Sequence, residues 1–401
     1  MDITRNKYIL AVLNFIILNT GWTHFFSNIN SFINVVIIVL VCFIALVYVK
    51  ENSISRVVLC ICIISFMIVL FTIINGGGFY SPPFTAVGLA MLTDLGLRKH
   101  PKTLLQSWMI IAAVVIPINL ALIYIFPQGI RTVDFNRWGW WILGYYSANG
   151  LPVLLPMVLL YSTVMHKKLT FWNLVLAICI LWTGFAGGSQ TMTVTVALMS
   201  IYIVFFYNRS LPKIFNYNVY IIFLLAFFIA ILFFNIQERF EWLIVDILGR
   251  RLDFTYRTQL WSLSIEKIVQ NPLIGIGTGQ LDLNPLQITF GTTVLQTSDP
   301  HNFFLTIFYT GGLVAFISLM TILFLLSKPL MKYKTHPIAS LLAFSIFAFL
   351  LFSLTWTLGI FTYLVPLFVI AANLDAIINL YDKQDEFCKH AHSQKYKDII
   401  V

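Results

Sequence analysis

Long apolar runs separated by short polar breaks dominate the chain, and most of them approach the ~20 residues that a helix needs to cross a bilayer. Read in order they predict twelve spans, at about 8–25, 32–49, 57–75, 83–97, 104–126, 141–163, 170–184, 188–207, 216–236, 303–327, 338–355 and 358–381. The fourth and seventh are short and interrupted by Pro or Gly, a pattern shared by tilted and re-entrant segments. The first run is long and no small-residue cleavage site follows it, so it is expected to remain as the first span rather than act as a cleaved signal peptide. The expected fold class is therefore all-α and polytopic. Spans one to nine occupy 1–236, a large extracytoplasmic loop 237–302, spans ten to twelve 303–381 and a cytoplasmic tail 382–401.

Composition agrees with the pattern: 59% hydrophobic residues and 10% charged ones lie outside the range of a soluble globular domain. Lys and Arg near span ends are retained on the cytoplasmic side. With the N-terminus inside, eighteen of the twenty-five cations fall on inner segments. The other seven, Arg131, Arg137, Arg239, Arg250, Arg251, Arg257 and Lys267, fall outside. The net charge of +9 follows from this sorting and a basic tail, so it implies no nucleic-acid partner. The kind of cation also differs, with fourteen lysines and four arginines inside against one lysine and six arginines outside. Positive-inside sorting does not distinguish the two. A guanidinium grips phosphate or carboxylate through two parallel hydrogen bonds and keeps its charge, so an arginine-rich outer face suits an anion. Anchoring to lipid phosphates is the alternative.

Histidine and cysteine narrow the chemistry. Only His24 and His301 fall outside; His24 ends the first span, and the other five accompany inner lysines. The cysteines (Cys42, Cys60, Cys62, Cys179, Cys388) lie within spans or the inner tail, so no outer disulfide is implied. Cys60 and Cys62 point apart on a helix and have no companion ligands, so no metal site is expected.

Polar residues concentrate at 237–302. There DFTYRTQLWSLSIEKIVQNP reads as an amphipathic helix with Asp253 as N-cap, ended by Asn271 and Pro272. Arg257, Leu260, Trp261, Ser264, Ile265 and Ile268 share its apolar face. A guanidinium on such a face needs an anionic partner, either a bound anion or Asp246 or Asp299. NPLIGIGTGQ follows, and Gly275, Gly277 and Gly279 suit a tight turn back to the membrane; no strand or helix frames it as a nucleotide cradle. A second polar segment holds Arg131, Asp134 and Arg137 beside Trp138, Trp140 and Trp141, which fit an interfacial belt or sugar stacking.

Arg257, Leu260 and Trp261 in a helix, then Asn271 to Gly279, then Pro300, His301, Asn302, Leu305 and Gly312 running into a span, together resemble the O-antigen polymerase and O-antigen ligase superfamily. The resemblance is specific over about 250–312. It implies a metal-independent, inverting glycosyltransferase on the outer side of a bacterial inner membrane, acting on oligosaccharide carried by undecaprenyl pyrophosphate. By the same resemblance, Arg257, and more loosely Arg250 and Arg251, hold the pyrophosphate and His301 is the base. Arg131, Arg137 and Asp299 are further candidates to contact the substrate. The family usually has an arginine near the start of the eighth span, where this chain has Gln190 in FAGGSQT. Lipid pyrophosphate is a good leaving group already bonded to the anomeric carbon, so no nucleotide or other cofactor is required. The single PHN histidine resembles polymerases more than ligases, which transfer the polymer to lipid A core. A chain-length regulator is an expected partner of a polymerase. A flippase for the same lipid-linked sugar would need internal repeats and ionisable groups deep in the spans, which the sequence does not display.

Overall fold

The computed structural model describes residues 2–18, 30–51, 54–78, 81–133, 138–141, 143–145, 150–186, 190–209, 215–234, 257–278, 286–290, 293–297, 299–355 and 359–384, with isolated positions between 212 and 246 and at 386. The helices are α1 (Lys7–Leu18), α2 (Asn30–Lys50), α3 (Arg56–Ile74), α4 (Pro82–Lys99), α5 (Pro101–Ile125), α6 (Leu151–His166), α7 (Phe171–Ala186), α8 (Gln190–Phe205), α9 (Tyr217–Phe234), α10 (Arg257–Gln270), α11 (Phe303–Lys332), α12 (Pro337–Ser353), α13 (Gly359–Ala372) and α14 (Leu374–Gln384). Two small antiparallel patches lie in the connections. One has β1 (Arg131–Val133), β2 (Trp138–Trp141) and β3 (Gly144–Tyr145) in that order; the other is the hairpin β4 (Leu286–Phe290) and β5 (Thr293–Thr297).

The chain is helical, as its apolar runs predict: the first eleven runs each overlap one of these helices and the last, 358–381, overlaps two, α13 and α14. Among the described residues five helices, α2, α3, α5, α9 and α11, are long and apolar enough to cross a bilayer; α13 and α14, bent by 66°, make a sixth if taken together. Helices α4, α6 and α12 are enclosed along most of their length by their neighbours. Helix α2 instead leaves Phe32, Val35, Val39, Phe43 and Leu46 exposed, as a lipid-facing surface would. Near the C-terminal end of α4, the buried Asp94 carboxylate meets Arg98 at 2.7 Å, the Tyr48 hydroxyl at 2.6 Å and the Asn373 amide at 3.0 Å. A charge buried there is tolerable because each oxygen is engaged.

The sixth predicted span starts later than its hydropathy suggests. Residues 138–141 pair as a strand, Trp140 opposite Arg131 and Trp138 opposite Val133, and the helix begins at Leu151 with Pro152 in its first turn. Aromatic side chains fit a pleated strand, and proline fits a helix start because no N–H is required there.

Helix α11 is broken at Gly312, whose φ of 67° and ψ of −172° no helix accommodates. The break leaves 313–332, which at ~1.5 Å per residue matches a ~30 Å hydrocarbon core, and a shorter piece before it, 303–311. Backbone groups that the break removes from the helix ladder are taken up by residues 272–277. Ile276 N donates to Tyr309 O at 2.7 Å, Gly277 N to Thr310 O at 3.0 Å, and Leu313 N to Pro272 O at 3.0 Å. On its other side the same segment is gripped by α3 and the residue that ends it. Asn75 Nδ2 donates to Gly275 O at 3.1 Å and Ile276 O at 3.2 Å, and Thr278 N donates to Thr72 Oγ1 at 3.0 Å. The glycine-rich stretch expected as a tight turn is thus a strap of backbone wedged between two helices. A Cβ on Gly275 would lie 2.2 Å from Thr310 O, which explains the glycine there. Gly279 lies outside the described residues.

Candidate functional site

His301 sits just before the start of α11, in a bracket built from its own neighbours. Its backbone is left-handed, with φ 53°, a conformation uncommon for a residue with a side chain. Three contacts hold it. The Asp299 carboxylate oxygen Oδ1 accepts from His301 N at 2.7 Å and from the Thr306 hydroxyl at 2.9 Å. Trp261 Nε1 donates to Pro300 O at 3.1 Å. On the other side Asn302 caps α11 by accepting from Leu305 N at 3.1 Å and donates its amide to Leu354 O, just past α12, at 2.9 Å. Two members of the PHN motif and the tryptophan of the preceding helix therefore form the frame that holds the histidine.

Helix α10 supplies the opposite wall. Leu260, Trp261, Ser264 and Ile268 are buried, as the 3.6-residue period predicts, and the three apolar ones pack with Ile231, Leu286, Leu305 and Tyr309. Arg257 occupies the first position of that helix and is half-buried. Its charge acts on the imidazole. Burial pushes the His301 pKa below its ordinary value, the Asp299 carboxylate opposes that shift, and the Arg257 guanidinium adds to it. The outcome is an imidazole held neutral near physiological pH, beside a fixed cation and a fixed anion. Such a group can accept a proton, and the cation beside it can stabilise negative charge forming on a bound molecule. Asp299 does more than act on the ring at a distance: its Oδ1 turns the chain by holding the histidine's backbone N–H.

The other sequence-derived candidates are placed less fully. Gln190 is the first residue of α8, and Arg131 opens β1 opposite Trp140. Arg137, Arg250, Arg251 and Asp253, together with His24 and Cys388, lie outside the described residues. Among the described residues, no three His, Cys, Asp or Glu side chains are gathered at a distance suited to a metal ion. Sequence reasoning missed the strap and the work of Asn302, Thr306 and the Trp261 indole. An asparagine just before an apolar helix is a readable cap signal; bonds across tens of residues leave no local trace.

No curated protein and no solved structure matches the chain. Residues 174–320, however, match the family model described as O-Antigen ligase. The matched segment runs from α7 to the middle of α11, and takes in Gln190, Arg257, the strap, Asp299 and His301. Apolar helices in number and this domain together make the chain a multi-pass membrane protein, and the matched segment supports a place in the O-antigen ligase and polymerase superfamily.

Proposed function

We propose that the protein is a surface-polysaccharide polymerase that transfers glycan from undecaprenyl pyrophosphate to a sugar of another lipid-linked repeat unit, with inversion and without a metal ion. A hydroxyl oxygen of the acceptor attacks the anomeric carbon. The bond from that carbon to the pyrophosphate oxygen breaks, and its electron pair leaves with the lipid pyrophosphate. His301 takes the hydroxyl proton, and Arg257 stabilises the charge on the departing pyrophosphate, with Arg250, Arg251, Arg131, Arg137 and Gln190 as further contacts in the same site. One observation carries the reading: a half-buried histidine with a depressed pKa and a neighbouring arginine, at the point where a polar segment enters a long apolar helix.

In this reading the twelve spans alternate from a cytoplasmic N-terminus, both termini lie inside, and the site in segment 237–302 faces the periplasm across the inner membrane. A chain-length regulator is a partner. A second reading, in which the acceptor is lipid A core rather than a repeat unit, fits the same family description equally. Deleting the gene and resolving the surface glycan on a gel separates them. Single repeat units still attached to core support the polymerase; loss of all attached glycan with polymer left on the carrier lipid supports the ligase. An unchanged glycan ladder contradicts both.

A further inference from the structure

The bonds around Asn302 extend beyond the histidine's own loop. The side chain is fully buried at 0% exposure and divides its two ends between two helices. Oδ1 caps α11 through Leu305 N, and Nδ2 ties α11 to the carbonyl of Leu354 beyond α12. The next residue, Thr355, donates its hydroxyl to Thr191 Oγ1 in the first turn of α8 at 3.0 Å. The starts of α11 and α8 and the end of α12 are therefore joined by a short relay that begins one residue from His301. Gln190, the candidate adjacent to Thr191, opens the helix at the far end of that relay.

A cap alone does not require this arrangement. Serine caps a helix about as well as asparagine, but it has no second arm with which to reach Leu354. A hydroxyl pair between Thr355 and Thr191 contributes nothing to capping α11. What the relay does is fix the distance between the loop that carries the imidazole and the first turn of α8. We propose that Asn302 and Thr355 are positioning residues for glycan transfer, holding His301 in register with the N-terminal turn of α8. The proposal rests on the reading of His301 as the base. Misplacing a reacting group by about 1 Å costs on the order of 100-fold in rate, so a relay of this kind acts on turnover rather than on donor affinity.

The test uses the purified full-length protein in nanodiscs with a polyprenyl pyrophosphate oligosaccharide as donor. Turnover, donor affinity and melting temperature are measured for Asn302→Ser, Thr355→Val, Thr355→Ser and, as reference, His301→Ala. Asn302→Ser and Thr355→Val are expected to lower kcat by ~10- to 100-fold while donor affinity stays near wild type; Thr355→Val should also melt near wild type, whereas Asn302→Ser, which leaves the Leu354 carbonyl without its partner, should melt somewhat lower. Thr355→Ser, which keeps the hydroxyl, should restore turnover. If both variants turn over normally while His301→Ala is inactive, the positioning role is wrong and the base survives. Parallel loss of turnover, affinity and melting temperature without rescue by Thr355→Ser would make the relay purely structural and overturn the proposal. If His301→Ala itself turns over normally, the underlying reading fails first and takes the proposal with it.

Discussion

Replacing Gly275 with alanine should unseat the strap. Its Cβ would stand 2.2 Å from Thr310 O, 2.5 Å from Thr310 C and 2.6 Å from Gly312 N. All three are backbone atoms, so no rotamer change relieves the contact, and the strap has to retreat by roughly 1 Å to reach an ordinary non-bonded separation. The three bonds from Ile276 N, Gly277 N and Leu313 N, at 2.7, 3.0 and 3.0 Å, then lengthen or break. A made bond contributes about 0.5–1.5 kcal/mol net, and a buried group left without a partner costs ~1–3 kcal/mol. The helix break at Gly312 offers these groups no alternative partner, so the loss is on the order of 3–5 kcal/mol. The lower chain entropy of alanine in the unfolded state returns only about 0.4–1 kcal/mol. Thermal melting of the purified protein in detergent measures the effect, with Gly78→Ala as control because a Cβ there meets nothing within 4 Å. Gly275→Ala should melt well below wild type and Gly78→Ala beside it. Equal melting of the wild type and Gly275→Ala would refute the wedged-strap account.

Arg257→Lys should abolish most transfer although it keeps the charge, because a point charge replaces a two-pronged donor; near-normal turnover in a glycan-transfer assay would assign Arg257 a structural role. A topology reporter fused at Asp282 should read outside and one at Lys332 inside; a cytoplasmic Asp282 would invert the membrane arrangement. The acid limb of kcat/KM should lie below the ordinary histidine pKa of 6.5, since burial and Arg257 both favour the neutral ring. Asp299→Asn removes the charge that favours the protonated ring while keeping the oxygen that holds His301 N. It should therefore move that limb to still lower pH, and a shift upward in the measured profile would contradict the assignment.

How much of this was legible in the sequence depended on whether the cause was local. Hydropathy located the helices because exposure to lipid or burial among neighbours both demand apolar side chains. Asn271 and Pro272 marked the end of α10, and the periodicity that put Arg257 beside Leu260 and Trp261 held in three dimensions. Hydropathy failed where strand and helix share it: the tryptophans of 138–141 raise the local average, but they pair with β1 and β3 and leave the helix to start at Leu151. It also read α11 as one run, because neither neighbour of Gly312 signals that Tyr309, Thr310 and Leu313 pair with a distant strap. At the site, His301 stood out as an outer histidine at a loop-to-span junction. Its supports did not, since Trp261 reaches Pro300 and Asn302 reaches Leu354 across intervals that no pattern encodes.

Turnover of His301→Ala tests the central claim most directly. It is measured on purified protein with a lipid-pyrophosphate glycan, beside a donor-binding assay on the same preparation and with chelator present. The account predicts a fall of ~10²- to 10⁴-fold, the range typical of losing a general base, with donor binding retained because the arginines hold the pyrophosphate. Normal turnover by His301→Ala, or loss of wild-type activity on adding chelator alone, would contradict it.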